Sequence, residues 1–142
     1  MNRGHTLVEL TAVLLLMALA SSTLLPLVRR TQDRSSVVAA REAIAGLVAE
    51  ARVAAVMFGG ASVHFASEPW RAWYEAGGEV RRRVPLGKEL GVTLVLTRSR
   101  TAAQIRFDAL GLGQMASESL RFLRRGADAG LVLSSYGRVR RW

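Results

Sequence analysis

The sequence predicts an α+β fold in which one long N-terminal helix lies across an antiparallel β-sheet. An uncharged apolar run from Leu10 to Val28 starts the helix, and apolar residues at three- and four-residue steps continue it to Phe58. From Ala61 onward the apolar period shortens toward two, and glycines recur between short segments. This change of period is typical of a helix followed by strands that tight turns connect.

The predicted helix runs from about His5 to about Phe58 and has two different halves. Its second half is amphipathic, because charged residues fall largely outside one apolar stripe. The stripe consists of Val37, Ile44, Leu47, Val48, Ala51, Ala55 and Phe58. The glycine pair at 59 and 60 predicts the helix end, and Pro26 predicts a bend in the first half.

Eight strands are predicted after the helix, with glycines such as Gly126 and Gly130 marking turns between them. No linker or repeat indicates a second domain boundary. The predicted strands are Ala61–Ala66, Arg71–Glu75, Glu79–Val84, Val92–Thr97, Gln104–Asp108, Ser119–Leu123, Leu131–Ser135 and Arg138–Arg141.

Composition indicates a basic protein with one small domain after the apolar run. The chain has 142 residues and a formal net charge of +9, nearly all of it carried by arginine. Guanidinium groups bind phosphates and carboxylates, so nucleic acid, lipid headgroups and acidic proteins become candidate partners. An arginine-rich genome would give the same composition without such a partner. The absence of cysteine excludes a disulfide framework and a thiolate metal site.

The apolar run is long enough to approach the thickness of a membrane, and Glu9 lies at its edge. Its 19 residues at about 1.5 Å each approach the roughly 30 Å apolar core of a bilayer. A secretory signal peptide cut after Ala20 is one interpretation, because Ala18 and Ala20 form a small-x-small site. A plain single-pass anchor is a second, although neither explains a carboxylate at this place.

A third interpretation comes from a resemblance at the start of the chain. Arg3 and Gly4, followed by His5-Thr6-Leu7-Val8-Glu9, resemble the class III signal of type IV prepilins. The resemblance implies a prepilin peptidase that cuts after Gly4 and methylates the new first residue, His5, where the family usually has phenylalanine. It also implies that Pro26 lies at the proline position common in the membrane part of pilin helices.

The prepilin resemblance implies three segments and a role for Glu9. Residues 1–4 would be the leader peptide, residues 5–28 the transmembrane half of the helix, and residues 29–142 a periplasmic pilin-like domain. A carboxylate and an amine that are each costly in lipid offset much of that cost when they pair. Glu9 would therefore capture the terminal amine of a neighbouring subunit during assembly. The alternative is that Glu9 only reaches the membrane interface from the helix end.

The end of the chain resembles a particular branch of these proteins. Ile105-Arg106-Phe107 with Gly111, and the stretch from Leu133 to Arg140, resemble the GspH/FimT family of minor pilins and type II secretion pseudopilins. Members close with a glycine-arginine-x-arginine signature, which Gly137, Arg138 and Arg140 match. In the pilin branch this motif is associated with DNA uptake in natural transformation.

The closing motif has a chemistry of its own. Arg138 and Arg140 are two residues apart, so a strand would place both guanidinium groups on one face. Tyr136 and Trp142 share that parity, and aromatic rings beside cations suit phosphate pairing with base stacking. Two other interpretations stay open: the arginines pair with acidic residues of a neighbouring subunit, or they form a solvated edge that blocks aggregation.

Together these features predict a minor pilin or pseudopilin, a structural subunit at or near a filament tip. Expected partners are other pilins or pseudopilins, the prepilin peptidase, the inner-membrane assembly platform, membrane lipid and DNA. The alternatives are an H-type minor pseudopilin that acts in type II protein secretion without binding DNA, and a secreted soluble nucleic-acid-binding module. Arg29, Arg30 and Arg34 follow the apolar run, and the positive-inside rule alone would place the domain in the cytoplasm.

Catalysis is not expected, and neither is a cofactor. The only histidines, His5 and His64, lie in no ligand cluster, so a metal site is not predicted. A triad of His64, Asp108 and a serine has no supporting motif. Trp70, Trp73 and Tyr74 could form a binding patch, but packing in the core or on a strand is the commoner fate of such residues.

Overall fold

The computed structural model of the chain describes residues 6–114 and 117–142, without the side chains of residues 23 and 24. The chain divides into two compact units, one that ends at Gln32 and one that spans Asp33–Trp142.

The long predicted helix is present. Helix α1 spans Leu7–Phe58, 52 residues, and contains Pro26. Its end matches the prediction, because Gly59 follows with φ of 77°, a conformation that only glycine adopts without strain.

In the part of the first unit that the structure describes, the apolar side chains of α1 are exposed. Every side chain described between residues 6 and 32 is exposed, including Leu16 at 65% and Leu27 at 61%. By length and composition this helix could cross a membrane, a test that a signal sequence also passes. The first part of α1 therefore fits a single-pass anchor.

In the second unit, eight strands lie within the described residues and overlap the eight predicted segments, although β7 begins at Ala127 and not at Leu131 as predicted. They are β1 (Ala61–Ser67), β2 (Trp70–Ala76), β3 (Glu79–Val84), β4 (Thr93–Leu96), β5 (Ala102–Phe107), β6 (Glu118–Arg124), β7 (Ala127–Leu133) and β8 (Val139–Arg141). A π-helical turn at Leu86–Leu90 and a 3-10 turn at Thr97–Ser99 flank β4.

The strands form two four-stranded antiparallel sheets. The first sheet has the order β3-β2-β1-β5 and the second the order β4-β6-β7-β8. The predicted α+β class is confirmed, and the structure adds the division into two sheets. Period-two patterning assigns strands but not their partners, so the division was not visible in the sequence.

The core lies between the second half of α1 and the inner faces of both sheets. Val37, Ile44 and Leu47 from the predicted stripe are fully buried, together with Phe65 and Phe122 from the sheets. Phe58, also predicted for the stripe, is 47% exposed. Its ring lies instead beneath the Arg81 guanidinium, 4.5 Å from the ring centre.

One predicted turn is wrong. Gly130 lies inside β7, opposite Arg121 of β6, and is buried. The turn between β6 and β7 lies earlier, where Arg125 and Gly126 have φ of 44° and 89°. A glycine is required at position 130 for a different reason: the indole ring of Trp142 occupies the space that a side chain would fill.

Candidate nucleic-acid interface

The predicted processing residues, Gly4 and His5, lie outside the described residues. Glu9 lies in the first turn of α1. Its backbone N–H donates to the Thr6 hydroxyl at 3.3 Å, so Thr6 caps the helix. The sequence carried this signal, because Thr-x-x-Glu at a helix start is the pattern of a capping box.

The closing motif forms the turn between β7 and β8. The Ser134 N–H donates to the Arg138 carbonyl at 2.9 Å, and the Gly137 N–H donates to the Ser134 carbonyl at 2.9 Å. The Arg138 N–H also donates to the Ser134 hydroxyl at 3.0 Å. Tyr136 lies at the tip of this turn and is 73% exposed.

Gly137 is buried against α1 and β5. It has φ of 77°, and a Cβ at this position would lie 2.9 Å from Cε1 of Phe107. Arg52 of α1 donates to the carbonyl of Gly137 at 3.4 Å and to the carbonyl of Gly111 at 3.1 Å. The glycine of the motif therefore has a local structural role: it lets the turn pack against Phe107 beside Arg52.

The arginines of the motif differ in their surroundings. Arg138 and Arg140 are exposed, and their side chains form no hydrogen bond or ion pair within residues 6–114 and 117–142. Arg140 lies opposite Val132 of β7, and Arg138 lies in the turn directly before β8. Both guanidinium groups are therefore available to an external anion.

Arg141, by contrast, faces α1. Its Nε lies 3.1 Å from both carboxylate oxygens of Glu42, and Arg41 donates to the Trp142 carbonyl at 3.3 Å. Hydrogen bonding from Arg141, with a further contribution from Arg41, holds the pKa of Glu42 below its ordinary value. These contacts attach β8 to the helix.

Trp142 lies on the second sheet beside these cations. Its backbone exchanges two hydrogen bonds with Gly130, at 2.9 and 3.1 Å. A Cβ at Gly130 would lie 1.9 Å from Cε2 and 2.2 Å from Cζ2 of the indole, so one ring face rests on the glycine backbone. Trp142 nevertheless remains 57% exposed, which leaves its opposite face to solvent.

The arginine run of β3, residues 81–83, and the tryptophans of β2 contact other residues of the second unit. Arg82 pairs with Glu50 of α1. Trp73 stacks on His64 with ring centres 5.0 Å apart and donates to Glu75 at 2.9 Å. Neither the arginine run of β3 nor the tryptophan segment of β2 therefore forms a continuous free patch.

Sequence reasoning missed two arginines that organise the second unit. Arg52 contacts the closing turn as described, and Arg124 of β6 pairs with Asp33 at 2.8 Å. Arg124 also donates to the Leu90 carbonyl at 2.6 Å. Asp33 is buried, and an acidic residue at the start of an apolar stripe was the signal that could have indicated a partner.

The fold that these elements define, a long N-terminal helix packed on antiparallel sheets, is that of minor pilins and minor pseudopilins. The chain is similar to the type IV minor pilin FimU of Pseudomonas aeruginosa, with a TM-score of 0.58 and 15% identity over 78% of this chain and 90% of that one. It is also similar to the minor pseudopilin EpsH of the Vibrio cholerae type 2 secretion system, with a TM-score of 0.57 and 14% identity over 75% and 96%.

These similarities support the predicted GspH/FimT resemblance at the level of fold. No protein-family profile matches the sequence, and no curated protein matches it.

Proposed function

We propose that this chain is a minor pilin or pseudopilin subunit that assembles at or near the tip of a filament. One observation carries the proposal: the same helix is apolar and exposed as far as Val28, and from Val37 onward it buries one face in a domain core. A helix with an apolar exposed part and a part buried in the core suits a subunit that is anchored in the inner membrane before assembly, with its domain in the periplasm. The arginines after the apolar run do not contradict a periplasmic domain, because sizeable domains translocate regardless of flanking charge.

The proposal includes cleavage after Gly4 and methylation of His5. Cleavage there keeps the apolar part of α1, and it frees a cationic amine about one helical turn from Glu9. That carboxylate would pair with the amine of a neighbouring subunit and fix the axial position of the two chains.

The processing step is tested by intact-mass measurement of the protein isolated from membranes. We expect a chain that begins at His5, with one added methyl group. A chain that begins at Ser21 would instead support the secreted module, and a chain that keeps Met1 would contradict processing altogether.

We further propose that the subunit binds DNA through Arg138 and Arg140. Two unpaired guanidinium groups close together at the end of the chain, with Tyr136 and Trp142 exposed nearby, support this role. Gly137 would contribute indirectly, by holding the turn that presents both arginines.

The second candidate is an H-type minor pseudopilin that acts in protein secretion without binding DNA. The similarity to EpsH supports it to the same degree as the similarity to FimU supports a pilin, because the TM-scores are 0.57 and 0.58. In that case Arg138 and Arg140 would pair with carboxylates of a neighbouring subunit. A purified chain that shows no affinity for DNA at moderate salt would favour this candidate.

A further inference from the structure

The indole ring of Trp142 lies over Gly130 and presents an exposed aromatic face on the second sheet. This face is here named the indole platform. Across the four strands, one row contains Val95, Arg121, Gly130 and Trp142. Glycine inside a strand weakens it, and one physical reason to keep it is the close approach of another group. Here that group is the indole ring, which no residue with a Cβ at position 130 would leave in place.

From this geometry we propose that the indole platform stacks an unpaired base, so that the DNA bound by this subunit is single-stranded. The inference rests on the proposed DNA binding through Arg138 and Arg140 and names the form of DNA. One ring face is covered by Gly130, and the 57% exposure of Trp142 leaves the other open for a base. A ring that rests on the sheet is also held flat before any ligand arrives.

The cations around the platform suit the backbone of the same strand. Arg140 lies two residues before Trp142 on the same strand face and has no partner in the described part of the chain. Arg121, beyond Gly130, is paired with Asp128 at 2.8 Å. A free guanidinium beside an open aromatic face is the combination that single-strand binders use.

The same features disfavour an intact duplex as the ligand. Bases inside a duplex are already stacked on their neighbours, so no base face is free to stack on the indole platform. Phosphates remain accessible in both forms, and the arginines alone would therefore bind single and double strands. The difference between the two affinities thus reports on Trp142 separately from the arginines.

The test uses the full chain in nanodiscs of zwitterionic lipid. Affinity is measured by fluorescence anisotropy for a labelled single-stranded oligonucleotide and for its duplex with the complementary strand. We expect Trp142→Ala to weaken single-strand binding by roughly 5- to 150-fold and to change duplex binding little. Trp142→Phe should retain most of the single-strand affinity, because it keeps a flat ring.

Gly130→Ala provides a second variant that keeps every arginine and the tryptophan. Its Cβ would occupy the place of the ring, so we expect the same loss of single-strand preference as in Trp142→Ala. Circular dichroism checks that both variants stay folded. If the ring only covers the glycine, both substitutions lower stability and leave the ratio of the two affinities unchanged, which would overturn the platform.

The proposed DNA binding fails in a different way. If the parent chain binds neither form at moderate salt, DNA binding itself is wrong and the platform is wrong with it. If the parent binds both forms and Trp142→Ala weakens them equally, DNA binding stands and the stacking of an unpaired base is refuted.

Discussion

At the scale of single residues, neighbouring arginines of the closing segment have opposite roles because a strand alternates its side chains. Arg141 turns toward α1 and pairs with Glu42, whereas Arg140 turns outward and stays unpaired. The alternation from Arg138 to Trp142 could be predicted from the sequence. The partner of Arg141 could not, because it lies about a hundred residues away along the chain.

The outward pair leads to a prediction about DNA affinity. Replacing Arg138 and Arg140 with alanine should weaken binding to any DNA sequence and reduce the salt slope by about two, because two phosphate contacts are lost. Titrations at several salt concentrations measure both effects. The control is the double alanine variant of Arg83 and Arg106, exposed arginines of the first sheet, which removes equal charge. Equal affinities for the two double variants would contradict a local site.

Glu9 gives a prediction about assembly. Glu9→Ala should still reach the membrane and be processed, yet enter filaments poorly because the amine of the neighbouring subunit loses its partner. Immunoblots of membrane and sheared-filament fractions separate these steps. Glu9→Gln, which keeps the shape without the charge, should fail in the same way. Normal incorporation of the glutamine variant would argue against an ionic role.

Glu42 gives a prediction about acid stability. Its pKa in the folded chain is lowered from 4.5, first by the hydrogen bond from Arg141, so its contacts stabilise the fold fully above that value. The stabilisation is lost as the pH falls through the lower folded pKa. Glu42→Gln should therefore flatten the decrease of Tm on acidification below pH 4.5. Glu89→Gln is the control, and identical acid profiles for both variants would contradict the assignment.

At the scale of elements, the closing turn depends on α1 as well as on its own hydrogen bonds. Arg52 donates to the carbonyls of Gly111 and Gly137, which come from two separate loops. Both glycines are buried, so neither carbonyl is readily satisfied by water once the guanidinium is removed. The motif that would present Arg138 and Arg140 is thus positioned by a residue outside the motif.

Arg52→Met should therefore lower the free energy of unfolding by roughly 1–3 kcal/mol, because two buried carbonyls lose a charged donor. Denaturant unfolding of the full chain in detergent measures the change. Arg34→Met removes an exposed arginine from the same helix and should stay within about 0.5 kcal/mol of the parent. A loss of equal size in both variants would show that Arg52 has no special role.

Local patterns predicted the elements well, because each depends on a short stretch of chain. The eight strands and the helix end at Phe58 follow from period and from glycine placement. Gly130 was wrongly predicted as a turn, because the sequence alone does not distinguish a turn glycine from one that makes room for a distant ring. The division into two sheets likewise depends on long-range pairing, such as β1 with β5.

At the scale of the whole molecule, the arginines behind the net charge of +9 fall into two groups, those that pair within the fold and those that stay exposed. Several arginines are committed to contacts within the second unit, so the charge excess is not by itself a measure of ligand binding. The committed set includes Arg41, Arg52, Arg82, Arg100, Arg124 and Arg141. The sequence predicted where the free pair lies, but tertiary contacts decide that this pair, rather than the run in β3, is available.

The edge strand β8 bears on how subunits contact one another in a filament. β8 is an edge strand of only three residues, anchored to α1 through Arg141, and its middle residue, Arg140, points outward. Such a border offers a poor template for a strand of another molecule, because it is short and like charges would meet. Lateral pairing of one copy with the next through this border is therefore disfavoured.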